Sequence, residues 1–384
     1  MKLQYKRRLD FILGNFLVAI NLAAAKVLGF ILRRNHTIEK KPNNIVFIKM
    51  LGLGSVFLAS NAILAVRKRY PNARVLLITG LGIKPGLDPI GLFDKIWEIR
   101  DQNFFVLIKD SLRIFFRLWR MKKLWVADLE VYSKLTTVFA LWTCAINRFG
   151  FILNPVRFRI DMNTHNVYFN QFINVEENYI RLAEEMGATA TENFYLEKFL
   201  PENRKGEVYY PYIVINNTCS DLSPERKCPE TILSVVCKWI LANTNYKIAF
   251  AGAPSDKGNI SNFINSKFNK EEVLKTKNIA GEFSFENYYS FLYHECAVIL
   301  TIDSAPLHIA KKLGIPTLTL WGPTNPLSRI NSDSRNDFYY LAKDCSPCVH
   351  HTEILPCKGD NICMKHMQED IIISKLTGLI KNIQ

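Results

Sequence analysis

The chain has 384 residues, 48% of them hydrophobic, and 49 basic against 35 acidic side chains give it a formal charge of +14. Its length exceeds one ordinary domain and its apolar content can fill real cores, so two α/β domains with a terminal appendage are expected. The charge points to a nucleic acid, an anionic membrane surface or a phosphorylated substrate. Nucleic acid is set aside, because no zinc-finger spacing, RNP-like aromatic motif or basic low-complexity tail is present.

Residues 11–25, FILGNFLVAINLAAA, carry no charge and lie between Lys6-Arg7-Arg8 and Lys26. Such a run of fifteen falls short of the roughly 20 residues that span a bilayer. Arg8, Asn15, Lys26 and Arg33 share one side of a helical wheel, which predicts an amphipathic helix lying in a membrane surface. A signal peptide cleaved near Ala23-Ala24-Ala25 and an ordinary packed helix are the other readings.

Ile45–Ile48 reads as a buried strand that runs into Lys49-Met-Leu-Gly52-Leu-Gly54-Ser55 and an apolar helix to about Tyr70, followed by the strand Arg74–Thr79. This is how a doubly wound domain opens, with glycines that let backbone N–H groups approach a ligand at a helix N-terminus. Phe57 stands where a dinucleotide fingerprint needs its third glycine, which excludes NAD and FAD. Over Ser111–Lys123, Lys109, Arg113, Arg117 and Arg120 form a stripe opposite Ile114, Phe115, Leu118 and Trp119. That is either the solvated face of a core helix or a second helix facing a membrane or an acidic acceptor. Leu124–Leu129 is a strand that delivers Asp128 and Glu130 to its exit, and Lys134–Asn147 a helix. Carboxylates so placed suit acid/base work or the capping of a helix. A polar helix over 176–187 precedes a charged, Pro-containing linker, Glu192–Glu207.

Tyr212–Asn216 opens a second sheet, and its loop Asn217–Pro229 offers Thr218, Ser220 and Lys227, hydroxyls and a cation suited to a pyrophosphate or simply to a polar surface. A helix Thr231–Ala242, a strand Lys247–Ala251 and the turn Gly252-Ala253-Pro254 follow. The clearest unit is strand Ala297–Ile302, then Asp303-Ser304, a helix that Ser304 can cap, and strand Pro316–Trp321 turning at Gly322–Pro326. Its parallel, right-handed crossover brings Asp303, Ser304 and His308 to the carboxyl edge of the sheet, where ligands bind.

These pieces resemble the heptosyltransferase family of bacterial lipopolysaccharide synthesis, glycosyltransferase family 9, from about Asn44 onward. Asp303-Ser-Ala-Pro-Leu-His308-Ile-Ala is similar to the family's D-S/T-G-x-x-H-x-A, and Leu320-Trp-Gly-Pro-Thr-Asn-Pro326 to its F/W-G-P-T-D-P. Asp128-Leu-Glu130, the loop Ser223–Pro229 and the tail Cys345-x-x-Cys348…Cys363-Met364 match further. The resemblance implies a GT-B fold, α/β with two Rossmann-like doubly wound domains facing a cleft. Domain boundaries follow at 1–40 for the membrane-associating segment, 41–200 for acceptor binding, 208–367 for nucleotide-sugar binding, and 368–384 for a helix packing back on the first domain. It implies inverting transfer without metal or cofactor, with an ADP-sugar as co-substrate and a lipid-linked glycan as acceptor, on the cytoplasmic face of the inner membrane. Thr218, Ser220, Lys227, Gly252, Asp303, Ser304, Ala305 and His308 would bind the donor, and Gly52, Leu53, Gly54 and Ser55 the acceptor.

Two departures matter. The family's base aspartate is Ser55 here, so the expected bases are Glu130 or Asp128, and a binding-only paralogue is the alternative. Ala305 replaces the usual glycine, which a negative φ tolerates. Of the nine cysteines, Cys144, Cys219, Cys228, Cys237 and Cys296 are scattered, as in a reducing compartment. Cys345, Cys348, Cys357 and Cys363, near His350, His351 and His366, are read as a zinc site, a disulfide clasp or a packed thiol segment. An epimerase is disfavoured, because no Tyr-x3-Lys pair follows a dinucleotide fingerprint.

Overall fold

The computed structural model describes residues 3–200, 210–219, 224–330, 332–349, 352 and 355–383. They divide into two units, Met1–Phe194 and Tyr195–Gln384. The linker expected over Glu192–Glu207 lies partly outside the described residues.

In the first unit six strands are given by the chain in the order β1 (Asn44–Lys49), β2 (Arg74–Gly80), β3 (Lys95–Ile99), β4 (Leu124–Asp128), β5 (Asn147–Ile152) and β6 (His165–Tyr168). They form one parallel sheet arranged β3-β2-β1-β4-β5-β6. The helix Leu53–Arg69 leaves the glycine turn after β1 as expected. Two helices differ from the sequence reading. The basic, aromatic helix begins at Phe104, where Asn103 caps it, and ends at Leu118. The helix from Lys134 stops at Trp142, not Asn147, because Cys144 turns the chain with a left-handed φ of 55° and Asn147 already pairs in β5.

The second unit repeats the scheme with β7 (Tyr212–Asn216), β8 (Lys247–Phe250), β9 (Thr276–Asn278), β10 (Cys296–Ile302), β11 (Thr317–Trp321) and β12 (Asn336–Tyr340). Their parallel order is β12-β11-β10-β7-β8-β9. Both sheets thus reverse direction between their first and fourth strands, the crevice where open α/β sheets take their ligands. The C-terminal helix runs over Glu369–Lys381. Its apolar face, Ile372, Leu376, Leu379 and Ile380, joins the second unit's core with Ile232, Val236 and Leu320.

The N-terminal helix runs over Leu3–Leu32, well beyond the uncharged stretch. Arg8–Ile31 is long and apolar enough to cross a membrane by length and composition. Three of its polar side chains, Asp10, Asn21 and Lys26, are nonetheless bonded to the first unit. Asp10 accepts hydrogen bonds from the Ser133 hydroxyl at 2.8 Å and from the backbone N–H of Lys134 and Leu135 at 3.1 and 2.9 Å, capping a helix that is not its own. Asn21 accepts from Trp142 Nε1 at 2.6 Å, and Lys26 pairs with Asp161 at 3.3 Å. Gly14 lies so close to Lys134 that a Cβ would approach its side chain to 2.7 Å. Losing such a cap costs about 1 kcal/mol. Asp10→Ala should therefore lower the unfolding free energy by about that amount in urea titration, and an unchanged midpoint would detach this helix from the unit.

Candidate functional site

In the first unit the register sets Ile48 beside Asp128, so the ends of β1 and β4 meet at the reversal. Glu130, just past β4, grips the glycine turn. Its Oε1 accepts from the backbone N–H of Met50 at 2.8 Å and of Leu51 at 3.2 Å, while Lys49 Nζ lies 2.8 Å from Oε2. Burial works against the Lys49 ammonium, but Glu130 overrides it and raises its pKa. The turn then reaches Gly52, whose φ of 85° only glycine adopts readily, and the helix starts at Leu53 with no side-chain cap on its first N–H groups. Gly54 is buried and Ser55, in the first turn, is half-buried.

Asp128 has a different setting. It is 1% exposed, accepts from Thr136 Oγ1 at 3.0 Å and lies 3.3 Å from the fully buried Arg159 guanidinium. Arg159 also donates to the carbonyls of Glu130 at 2.6 Å and Ser133 at 2.8 Å. Burial pushes the Asp128 carboxyl up to about 6 despite Arg159. Of the two expected bases, Glu130 has the greater access to solvent, its side chain 14% exposed against 1% for Asp128, whereas Asp128 orders Arg159 and, through it, the strand exit.

In the second unit Thr301 of β10 lies beside Asn216 of β7. Asn216 is the hub, donating from Nδ2 to Ala251 O at 3.0 Å and to Thr218 Oγ1 at 3.2 Å while its Oδ1 accepts from Ser304 Oγ at 3.2 Å. Ser304 thus occupies the N-cap position of the helix Ala305–Lys312 but spends its hydroxyl on Asn216, which corrects the expected cap and leaves the first N–H groups without a side-chain acceptor. Asp303 is 6% exposed, and Arg226 Nη1 reaches its carbonyl at 2.5 Å and its carboxylate at 3.5 Å. Burial would raise the Asp303 pKa, yet Arg329, Arg226 and His308 hold it below the usual value. His308 is buried and pushed down to about 3 by that burial, with Arg329, Lys311 and Lys312 adding to the effect, so its ring is neutral near pH 7.

Sequence reasoning singled out Lys227 as the cation, but the guanidinium set against Asp303 belongs to its neighbour Arg226. Asn216, Arg329 and Arg159 were not singled out at all. Lys227 is half-buried, and its carbonyl accepts from Asn361 Nδ2 at 3.2 Å. Gly252 sits after β8, where a Cβ would come within 3.0 Å of Asp256 and Ile260. Ala305 takes a place within its helix. Ser220, His350 and His351 lie outside the described residues.

The cysteine tail buttresses this edge. Cys348 and Val349 donate their N–H to Pro323 O, both at 3.0 Å, and a Cβ on Gly322 would meet Cys363 Sγ and Met364 Sδ at 2.7 Å. All nine cysteines are free thiols. Among the described residues, no group of three or more His, Cys, Asp or Glu side chains is arranged to hold a metal.

A sequence model of glycosyltransferase family 9 (heptosyltransferase) matches residues 164–358. The chain is 26% identical over 114 residues to lipooligosaccharide heptosyltransferase 2 of Campylobacter jejuni, covering 29% of this chain and 34% of that protein. It is 28% identical over 167 residues to lipopolysaccharide heptosyltransferase 2 of Escherichia coli K12, covering 39% and 46%. The matched stretches thus span less than half of these curated relatives. The structure resembles E. coli ADP-heptose lps heptosyltransferase II with a TM-score of 0.65, 16% identity, and coverage of 88% of this chain and 98% of that one. It resembles a family 9 glycosyl transferase from Veillonella parvula with a TM-score of 0.68, 18% identity, and coverage of 90% and 100%. At such identities the likeness establishes the fold.

The Asp128 setting gives a pH test. A carboxyl with a folded pKa of about 6, above its ordinary 3.8, binds its proton more tightly when folded. Its contribution to stability is therefore complete below the ordinary value and lost as pH rises through the folded one. Asp128→Asn removes that dependence. The stability difference between wild type and variant should drift against wild type by roughly 2–3 kcal/mol across that window, and a flat difference would mean that Asp128 titrates normally. Arg159→Leu, which strands the carboxylate, should cost about 3–5 kcal/mol at neutral pH and less in acid.

Proposed function

The chain belongs to glycosyltransferase family 9, and we propose that it is an inverting, metal-independent transferase that moves a heptose from ADP-heptose to a lipopolysaccharide-core or other lipid-linked glycan acceptor. The observation that carries this reading is the Asp303–His308 turn. There an uncapped helix N-terminus, Arg226 and Arg329 surround one buried carboxylate at the sheet reversal, within the span that matches the family. A lone carboxylate would repel a diphosphate, but with two guanidinium groups acting on it the local balance is positive. In transfer, an acceptor hydroxyl attacks the anomeric carbon as the bond to the diphosphate breaks, and negative charge builds on the leaving group. In this reading Arg226, Arg329, Lys227 and the helix N–H groups stabilise it, and Thr218, Ser220, Gly252, Ser304 and Ala305 are assigned to the rest of the donor site. Neutral His308 offers the sugar a hydrogen bond without adding charge.

On the acceptor side Glu130 takes the proton in this reading, at Oε2, with Gly52, Leu53, Gly54 and Ser55 lining the approach. The N-terminal helix holds the enzyme on the inner membrane's cytoplasmic face, its exposed Phe16, Ile20, Val27 and Phe30 facing lipid while Asp10 and Asn21 fasten it to the first unit. No resident cofactor enters this scheme. A binding-only paralogue is the second reading, motivated by Ser55 and by a Glu130 already engaged by Lys49 and two backbone donors.

Calorimetry against ADP-, UDP- and GDP-sugars tests the donor assignment, which fails if ADP-heptose is not preferred. Arg226→Ala or Lys227→Ala should weaken donor binding by roughly 1.5–3 kcal/mol through lost charge-assisted bonds, and an unchanged dissociation constant would remove that residue from the donor site. Glu130→Gln should lower turnover about 10²–10⁴-fold with donor affinity almost unchanged. Ser55→Asp, placed in the first turn of a helix where the dipole favours its ionised form, should preserve or raise activity. If activity survives Glu130→Gln, the acceptor proton leaves by another route.

A further inference from the structure

The helix Phe104–Leu118 presents three faces rather than two. Ile114, Phe115 and Leu118 enter the core of the first unit, and the basic residues line a second side. Between them runs an exposed apolar stripe, Phe105, Ile108, Leu112, Phe116 and Trp119, at spacings of three or four residues and their sums. Phe105 is 82% exposed, Phe116 57% and Trp119 52%. The helix's one acid, Asp110, is buried against Arg100 at 2.9 Å, so Lys109 and Arg113 beside the stripe meet no exposed acid on their own helix.

One residue links the end of this stripe to the N-terminal helix. Trp142 is half-exposed, its Nε1 donates to Asn21 of the N-terminal helix, and its carbonyl accepts from Trp119 Nε1 at 2.8 Å. Its ring lies 6.0 Å from Phe115. The two tryptophan N–H groups are thus satisfied within the protein, while Trp119 and Trp142 stay 52% and 40% exposed.

We propose that the helix Phe104–Leu118, with Trp119 and Trp142, is a second docking surface for an anionic lipid bilayer, joined edge to edge with the N-terminal helix so that the first unit is held at two places. This rests on the membrane placement proposed above and deepens it. Exposed aromatic side chains among Lys109, Arg113 and Arg120, with the helix's one acid buried against Arg100, complement anionic headgroups over an acyl boundary. A second copy of the chain fits less well. A two-fold contact would bring the same cations against one another with no carboxylate between them.

The full-length protein, mixed with phosphatidylcholine vesicles with and without phosphatidylglycerol, supplies the test. The Phe105→Ser, Leu112→Ser, Phe116→Ser triple variant changes exposed positions only and should keep the wild-type circular dichroism. Its partition onto phosphatidylglycerol vesicles should fall about tenfold or more. Lys109→Gln with Arg113→Gln and Arg120→Gln should remove most of the preference for the anionic lipid. Brominated acyl chains should quench wild-type fluorescence, and Trp119→Phe should lose part of that quenching. Unchanged partition of the triple variant would overturn the proposal, as would vesicle binding in which Trp119→Phe is quenched like wild type, a result that leaves the N-terminal helix as the membrane contact. A wild-type dimer that the triple variant turns into a monomer, with partition unaltered, would overturn it in favour of a second copy. Wild-type protein that ignores both vesicle types would overturn this inference and the membrane placement together.

Discussion

In each unit a buried carboxylate at or just past the end of the fourth strand is held by an arginine from elsewhere in that unit, and the rest of each site is built around that pair. Asp128 with Arg159 and Asp303 with Arg226 occupy equivalent places in two sheets of the same strand order. Their electrostatic outcomes differ. At Asp128 burial outweighs one arginine and the carboxyl rises, whereas at Asp303 a second guanidinium, Arg329, helps keep it ionised. Buried ion pairs add little net stability, because desolvation offsets most of the attraction. What they supply is position. Arg159 ties the carbonyls of Glu130 and Ser133, and Arg226 ties the Asp303 carbonyl at the exit of β10.

The two polar edges use different means to leave a helix start open. In the first unit, Glu130 draws the N–H groups of Met50 and Leu51 inward, and the positive φ of Gly52 then aims the next helix without a side-chain cap. In the second, Ser304 stands where a cap belongs and is diverted to Asn216. The cysteine tail stiffens that second edge by packing under Gly322 and bonding to Pro323, which accounts for thiols that bind neither each other nor a metal among the described residues.

Much of this was legible in the sequence because it is local. The strand–turn–helix–strand pattern around Gly52 and around Asp303 writes itself in short apolar runs, glycines and a first-turn proline. Asp128 and Glu130 were legible as a pair for the same reason. Their partners were not, since Arg159 reaches them from a later segment and nothing in its neighbours marks it as buried. Choosing between Arg226 and Lys227 needs the direction of two adjacent side chains, which composition does not carry. The edge strands β3, β6, β9 and β12 are partly polar, and so lack the apolar run that exposed β1 and β10. The C-terminal helix had a clear apolar face, but its sequence does not say which core receives it.

The reaction proposed for the Asp303 turn is glycosyl transfer from a nucleoside diphosphate sugar. The most direct measurement is nuclear magnetic resonance of the products formed from ADP-heptose and a purified lipid-core acceptor. This account predicts ADP and a new glycosidic linkage in equal amounts, with the anomeric configuration opposite to that of the donor. Retained configuration, or a donor that binds and is never consumed with any acceptor, would contradict it.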